Sequence, residues 1–477
     1  MSIADTDLVE VLRDGVSYKA TGTQLNEFLT PPWKMPAKKG QRYDYGTFYD
    51  GQRTDEYVVI RHDPISDRFV VIGREGYYAK GPRIFTVGVD ANGNVDIGPT
   101  VDLNIQTNGI CLEWDETAKA FILCYSEWYG SNDGKEDLFA RALTVTGNTV
   151  SLGPVVTLIT NALQYTKLIP SPSTGNMLCT YMTADRYTNS NGGTVTIRLV
   201  GMKVLKLNAD KTISQGPQLR TMGTNENKDK KEVTGGCAIS GNRIVLDVYW
   251  NRSSDTSAPV DGHNCTQVIN MSAGTTNPTW GALQVQFQSG DVGAPDTRGG
   301  PNFETSSHHG FWRNNLYYTT ASRYYTTESS TYMYVYTVSG TTLTQKFKTR
   351  LDNYAGTGFG TTTWRLTLGT LYYDPEADIM CTFGAVCNAT TKKYGVSDIA
   401  RYRFTSDGNV QRIDSLNVGE TQGADVPRFD EIHYVSDFSG STKNKDGWIL
   451  TGYKNPQRAP TKNTIQAYRP GAKPEDL

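Results

Sequence analysis

The chain has 477 residues, 37% hydrophobic and 20% charged, with 47 glycines, 28 tyrosines and a formal net charge of −2. That balance excludes a broad basic field that would hold nucleic acid by its phosphates, and no apolar run reaches the roughly 20 residues of a membrane helix. The length allows two or three ordinary domains or one large closed β architecture, and the glycine- and tyrosine-rich make-up favours β-structure. The start, "MSIADTDLVEVL", lacks the basic and apolar regions of a secretory signal, so synthesis and folding in a cytoplasm are expected.

Residues 5–29, "DTDLVEVLRDGVSYKATGTQLNEFL", come first in chain order. "DLVEVLRDG" predicts a short strand ending in Asp-Gly, "VSYKATG" its partner, and "TGTQLNEFL" a short helix capped by a threonine, with Leu25, Phe28 and Leu29 on one side. Some 25 residues bury too little apolar surface to stand alone, so this segment needs a surface to dock on. "TPPWKMPAKK" behind it reads as a stiff, proline-rich spacer. The pattern of Asp7, Leu8, Val9, Val11, Arg13, Gly15, Tyr18, Lys19, Thr21 and Leu25 resembles the short N-terminal module of tailed-bacteriophage virion proteins. The resemblance covers about 25 residues. It implies a structural protein of the virion in which this module attaches a variable β-rich body to the particle. Leu8, Val9, Val11, Arg13, Tyr18, Lys19, Leu25 and Phe28 are then the expected docking residues.

The body repeats one pattern seven times: an apolar strand, a turn and a second apolar strand. Examples are "YVVIRHDPISDRFVVIGRE", "GICLEWDETAKAFILCYSE" and "LTLGTLYYDPEADIMCTFGAV". The second strand of each copy starts at Phe69, Phe121, Met177, Ile244, Leu316, Ile379 and Trp448, at spacings of 52 to 72 residues. A second hairpin follows each pair, turning at Asn-Gly, Asp-Gly or Ser-Gly, and in the first three copies a Gly-Pro precedes the closing strand. Four short strands, a to d, repeated seven times predict an all-β, seven-bladed β-propeller. Two stacked β-sandwiches would hold as many strands, but the even repetition favours the ring. The seventh copy lacks a fourth strand, and residues 42–51, "RYDYGTFYDG", are expected to supply it and close the last blade. The chain thus divides into a docking segment and spacer (1–40), a propeller (41–470) and a tail (471–477). "NENKDKKE" (225–232) reads as a solvated linker.

The candidate chemistry is sparse. Asp63, Asp115 and Asp374 recur at equivalent turn positions, where Asp accepts from the backbone of a type I turn. Glu113 and Asp247 are acids within strands and show no identifiable partner, and the sialidase-type S-x-D-x-G-x-T-W box is missing. His308 and His309 are neighbours in sequence, and in a strand they would point to opposite faces, which disfavours a shared metal ion. Seven irregularly spaced cysteines without a C-x-x-C pair read as buried free thiols. Neither a metal site nor a cofactor is expected. "DANGN" and "SDGN" fall where hairpin turns are required, so they read as turns and not as calcium loops.

Long insertions rich in Tyr, Asn, Ser and Thr fall mostly between strands b and c, which would gather them on one face of the ring. Tyr187, His263, Tyr324 and Tyr325 are the expected binding residues of these loops. The expected partners are other phage virion proteins and a host surface glycan or protein receptor, with no nucleic acid and no membrane insertion. A homo-oligomer within the virion, in the tail or tail-fibre region, fits the resemblance. The expected function is non-enzymatic, in assembly or host attachment. The alternatives are a propeller glycosidase or lyase acting on host surface polysaccharide, and a capsid decoration or assembly hub.

Overall fold

The computed structural model describes residues 8–13, 16–21, 38–47, 59–74, 81–107, 109–128, 136–171, 175–188, 194–221, 229–240, 242–252, 261–270, 279–282, 284–285, 310–324, 329–351, 364–388, 394–417, 443–455 and 462–470. Among them every regular element is a β-strand, and no helix is long and apolar enough to cross a membrane.

The strands form a seven-bladed β-propeller, each blade antiparallel in the order a-b-c-d from the axis outward. Blade one is Val59–Asp63, Arg68–Arg74 and Pro82–Val89, with strand d in two pieces, Val95–Ile97 and Val101–Asp102. Blade two is Ile110–Asp115, Ala120–Trp128, Glu136–Thr146 and Thr149–Leu152. Its strand d is completed by the first half of Val156–Ser171, which runs on to become strand a of blade three, so these two blades share one sheet. Blade three continues with Asn176–Thr188, Thr194–Leu207, Ile213–Gln215 and Leu219–Thr221. Blade four is Asp229–Ile239, Arg243–Arg252, Asp261–Asn270, Thr279–Trp280 and Gln284–Val285. Blade five is Phe311–Arg313, Leu316–Tyr324, Ser329–Ser339 and Thr342–Arg350. Blade six is Trp364–Asp374, Ile379–Asn388, Tyr394–Phe404 and Val410–Asn417. Blade seven shows Ile449–Asn455 and Lys462–Arg469 with Lys38–Thr47 outside them; its expected innermost strand lies outside the described residues.

Every strand b begins within one residue of its marker in the sequence. The closing strand is also present, pairing antiparallel with Lys462–Arg469 and setting Tyr43 opposite Ile465. It spans Lys38–Thr47, starting four residues earlier than the expected 42–51. Blade one holds this upstream part: Gln41 N–H donates to the Gly93 carbonyl at 2.7 Å, and Gln41 Oε1 accepts from Val95 N–H at 2.7 Å. Gly40 fits here because a Cβ would sit 2.6 Å from the Gly93 oxygen. A second difference concerns "NENKDKKE". Its residues 229–232 belong to strand a of blade four, where Asp229 is in register with Arg252 and Glu232 with Tyr249. Pairing with strand b overrides the solvated character of the charge run.

The core is distributed over the seams between blades, as a ring of mutually covered sheets requires. Ile60, Phe69 and Phe85 of blade one meet Trp448 and Ile465 of blade seven. Ile169, Leu178 and Val200 of blade three meet Val233, Ile244 and Leu246 of blade four. Val245 and Val268 of blade four meet Tyr317, Tyr334 and Tyr336 of blade five. At the seam of blades six and seven, buried Arg401 pairs with Asp414 and donates from Nη1 to the Pro470 carbonyl at 2.6 Å.

The a–b turns follow the expected chemistry. Asp63 Oδ1 accepts from Ile65 N–H at 2.9 Å, Asp115 Oδ1 from Thr117 and Ala118 N–H at 2.8 Å each, and Asp374 Oδ1 from Glu376 N–H at 3.0 Å. "DANGN" is likewise a hairpin turn, with Asp90 Oδ1 accepting from Asn92 and Asn94 N–H. The Gly-Pro dipeptides explain why strand d is split. Gly98, Gly153 and Gly216 each donate a last ladder bond to strand c, at 2.8 to 2.9 Å, before a proline that has no N–H to offer.

Candidate functional site

Glu113 and Asp247 both have partners, contrary to the sequence reading. Glu113 lies on strand a of blade two, beside strand a of blade one. Arg61 there donates from Nε at 3.1 Å and from Nη2 at 2.7 Å to Glu113 Oε1, and both residues are buried. The partner is 52 residues away along the chain and joins only when adjacent blades stack.

Asp247 lies on strand b of blade four and faces blade five. Tyr317 Oη donates to Oδ2 at 2.6 Å, Thr319 Oγ1 to Oδ2 at 2.8 Å, and Thr266 Oγ1 to Oδ1 at 3.1 Å. The Gly310 backbone adds a further hydrogen bond. Gly310 has no room for a side chain, since a Cβ would lie 2.0 Å from Tyr317 Oη. Burial pushes the Asp247 carboxyl up to about 6, against the opposing pull of its hydrogen bonds from Tyr317, Thr319, Thr266 and Gly310. Burial, reinforced by the Asp247 charge, raises the Tyr317 phenol well above its ordinary range. Thr319 was readable as a partner in one respect. Thr180, Asp247, Thr319 and Thr382 occupy the same place in successive strands b, three residues past the markers Met177, Ile244, Leu316 and Ile379, and all four are buried.

Cys111, Cys124, Cys179 and Cys381 are buried free thiols, and Cys237 is half-buried. Burial raises the Cys111, Cys124, Cys237 and Cys381 thiols. Among the described residues no group of His, Cys, Asp or Glu side chains is arranged to hold a metal ion. His308 and His309 lie outside the described residues.

Three of the four expected binding residues fall at the b–c edge of the ring. Tyr187 lies near the end of strand b in blade three, His263 near the start of strand c in blade four, and Tyr324 at the end of strand b in blade five. Tyr325 lies outside the described residues. Among the described residues strand pairing continues into the insertions carrying them: Thr188 still pairs with Thr194, Arg252 with Asp261, and Tyr324 with Ser329. Their Thr, Tyr and Val content suits a pleated surface, so strand pairing extends where loops were expected. Of the expected docking residues, Leu8, Val9, Val11 and Arg13 lie on one strand, Leu8–Arg13, and Tyr18 and Lys19 on its antiparallel partner, Val16–Thr21. These two strands form a sheet of their own, joined to no blade among the described residues. Leu25 and Phe28 lie outside them.

No family model matches the chain, and no curated protein matches it. Solved structures resemble it in part. Penicillium chrysogenum α-L-arabinanase complexed with arabinobiose aligns at 9% identity and a TM-score of 0.45, over 81% of this chain and 100% of that one. A polysaccharide lyase of family PL25, an ulvan lyase, aligns at 9% identity and a TM-score of 0.41, over 78% and 95%. Prolyl oligopeptidase B from Galerina marginata aligns at 10% identity and a TM-score of 0.41, over 87% and 56%. Likenesses this distant carry no argument about what this chain binds or does.

Proposed function

We propose that this protein is a non-enzymatic structural component of a tailed-phage virion, carried in the tail or tail-fibre region. Its N-terminal hairpin is the attachment to other virion proteins, and its propeller presents the b–c edge to a host surface glycan or receptor, in several copies per particle. The observation that carries the reading is the separate sheet of Leu8–Arg13 and Val16–Thr21, which joins no blade among the described residues and bears the sequence pattern of the virion module. The Arg61 and Tyr317 bonds support it further, because they commit Glu113 and Asp247 to holding blades together. Retaining or inverting glycosidases use two carboxyl groups facing a sugar.

The test is mass spectrometry and cryo-EM of purified particles of the phage that encodes this chain. The full chain is expected in the particle, and a chain without residues 1–37 is expected to fold but to be missing from it. A full chain absent from purified particles sinks the reading. Release of sugar fragments from host polysaccharide by the purified protein would replace it with the hydrolase or lyase alternative.

A further inference from the structure

Three thiols meet in the core of the seam between blades two and three. Cys111 on strand a of blade two is in register with Cys124 on strand b, and Cys124 in turn with Ala140 on strand c. Cys179 joins the same buried cluster from strand b of blade three, where it is in register with Leu168 and Lys203. Cys124 stands at the centre, its S–H within hydrogen-bond reach of both the Cys111 and the Cys179 sulfur. Ala118, Ala120, Ala140 and Ala142 belong to this cluster too, so blade two presents short side chains around its two cysteines. Ser126 N–H donates to the Gly109 carbonyl at 2.9 Å, which makes the pair two residues further along, Cys124 with Cys111, a hydrogen-bonded one. The Cα atoms of such a pair lie about 5.5 Å apart, inside the roughly 4.4–6.8 Å that a disulfide spans.

The thiols are not equivalent. Cys111 is 7% exposed, whereas Cys124 and Cys179 are at 0%. Burial raises the Cys111 thiol, and the hydrogen bond from Cys124 and the Lys167 charge oppose that rise. Glu113 acts against the thiolate, and its own charge is engaged by Arg61. Cys124 is raised well above the ordinary thiol range by burial and by its bonds to Cys111 and Cys179. The thiolate is the reactive form of cysteine. Of the two thiols in blade two, Cys111 is therefore the one that meets an oxidant, and Cys124 waits beside it with its proton still in place.

We propose that this cluster is an oxidation site, at which peroxide converts Cys111 to a sulfenic acid and Cys124 closes a disulfide on it. In the first step the Cys111 thiolate attacks one oxygen of hydrogen peroxide and the O–O bond breaks. Sulfur gives up two electrons, and the second oxygen leaves as hydroxide and takes up the proton that the thiol released. In the second step the Cys124 sulfur attacks the Cys111 sulfur, the S–O bond breaks, and the hydroxyl leaves as water with the Cys124 proton. Two thiols and one peroxide thus give one disulfide and two waters. Peroxide is small and uncharged, which suits a site with so little opening, whereas glutathione disulfide is too bulky for a packed seam. Cys124 traps the sulfenic acid before a second peroxide carries it to the sulfinic acid. Cys179 keeps its thiol, because Cys124 forms a single bond. The site is independent of the virion reading.

The test is hydrogen peroxide treatment of the folded full chain, followed by alkylation of the remaining thiols and peptide mapping by mass spectrometry with and without reductant. The expected product is a reducible Cys111–Cys124 link, about 2 Da lighter than the two thiols, with Cys179 alkylated. In C124A the Cys111 sulfenic acid loses its partner, and it is expected to be captured by dimedone and otherwise to proceed to sulfinic acid. C111A is expected to lose the disulfide, and C179A to keep it. Thermal unfolding of each variant reports its folding, and the map of the unaltered chain decides the matter alone where a variant does not fold. A Cys111 that stays a thiol while methionines of the chain are oxidised would overturn the proposal. So would a Cys124–Cys179 link, or sulfinic acid in place of the disulfide in the unaltered chain.

Discussion

Tyr317 donates its phenolic proton to Asp247 at 2.6 Å across the seam between blades four and five, with both groups buried. The acid is held there by four hydrogen bonds, yet burial still lifts its carboxyl to about 6 from the ordinary 3.8. A carboxyl raised in the folded state stabilises the fold in full below about pH 4, and that stabilisation is lost as the pH rises through about 6. The displacement corresponds to about 3 kcal/mol. Asp247→Asn is therefore expected to flatten the stability profile between pH 4 and 7, gaining on the wild type by about that amount as the pH rises. Urea unfolding at several pH values reads this directly, and parallel profiles for the two proteins would refute it.

The Arg61–Glu113 pair gives a prediction of opposite kind. Removing one partner strands a buried charge, so Arg61→Met or Glu113→Met alone is expected to cost about 3–5 kcal/mol. The double change to Arg61→Met with Glu113→Met removes both charges and is expected to cost far less than the sum. A double-mutant cycle by chemical unfolding measures the difference, and simple additivity would show that the bond between blades one and two carries no coupling.

The glycines of strand d divide into two classes. A Cβ on Gly98 would lie 2.2 Å from the Asn148 oxygen of the next blade, and one on Gly281 would lie 2.0 Å from the Thr341 oxygen. On Gly153 the nearest atom is the Ala142 side chain, at 3.3 Å. Gly98→Ala and Gly281→Ala are expected to cost about 1–3 kcal/mol or more by forcing neighbouring backbone apart, while Gly153→Ala costs under about 1 kcal/mol. Equal melting temperatures for all three variants would contradict the close approach of blades at these turns.

Two truncations test the closure. Removing residues 1–37 leaves Lys38–Thr47 in place and is expected to leave the melting temperature unchanged. Removing residues 1–47 deletes the outer strand of blade seven, whose ladder bonds are each worth about 1 kcal/mol net, and uncovers the edge of Lys462–Arg469. A large drop in melting temperature and a tendency to associate are expected by calorimetry and light scattering. Similar stability for the two truncated chains would remove the closing strand from the account.

The repeat was readable in the sequence because it is local. Phe69, Phe121 and the later markers sit in runs whose alternation and turn residues specify a hairpin without outside help, and each strand b starts there. The turn roles of Asp63, Asp115 and Asp374 were readable for the same reason, since the bonds span two or three residues. What depended on neighbouring blades was hidden. The bond from Arg61 to Glu113 spans 52 residues and that from Tyr317 to Asp247 spans 70, so neither acid revealed its partner. The closing strand was found, but its start was misplaced because Gly40 and Gln41 are fixed by Gly93 of a different blade. His263 was singled out as a loop residue, while its place on strand c, in register with Trp250, became visible only in the paired sheet.

The pairing of Lys38–Thr47 with Lys462–Arg469 also sets an order of events in synthesis. A strand made among the first fifty residues must wait on the ribosome until the last blade has emerged. Blade one waits as well, because Val89 and Ala91 accept from Asn444 and Trp448. Domains commonly fold as units once their chain is available, N-terminal part first. This ring admits no such instalments at its seam. A nascent chain that stops before residue 462 keeps an unmatched strand at its front, a mark by which an incomplete product differs from a finished one.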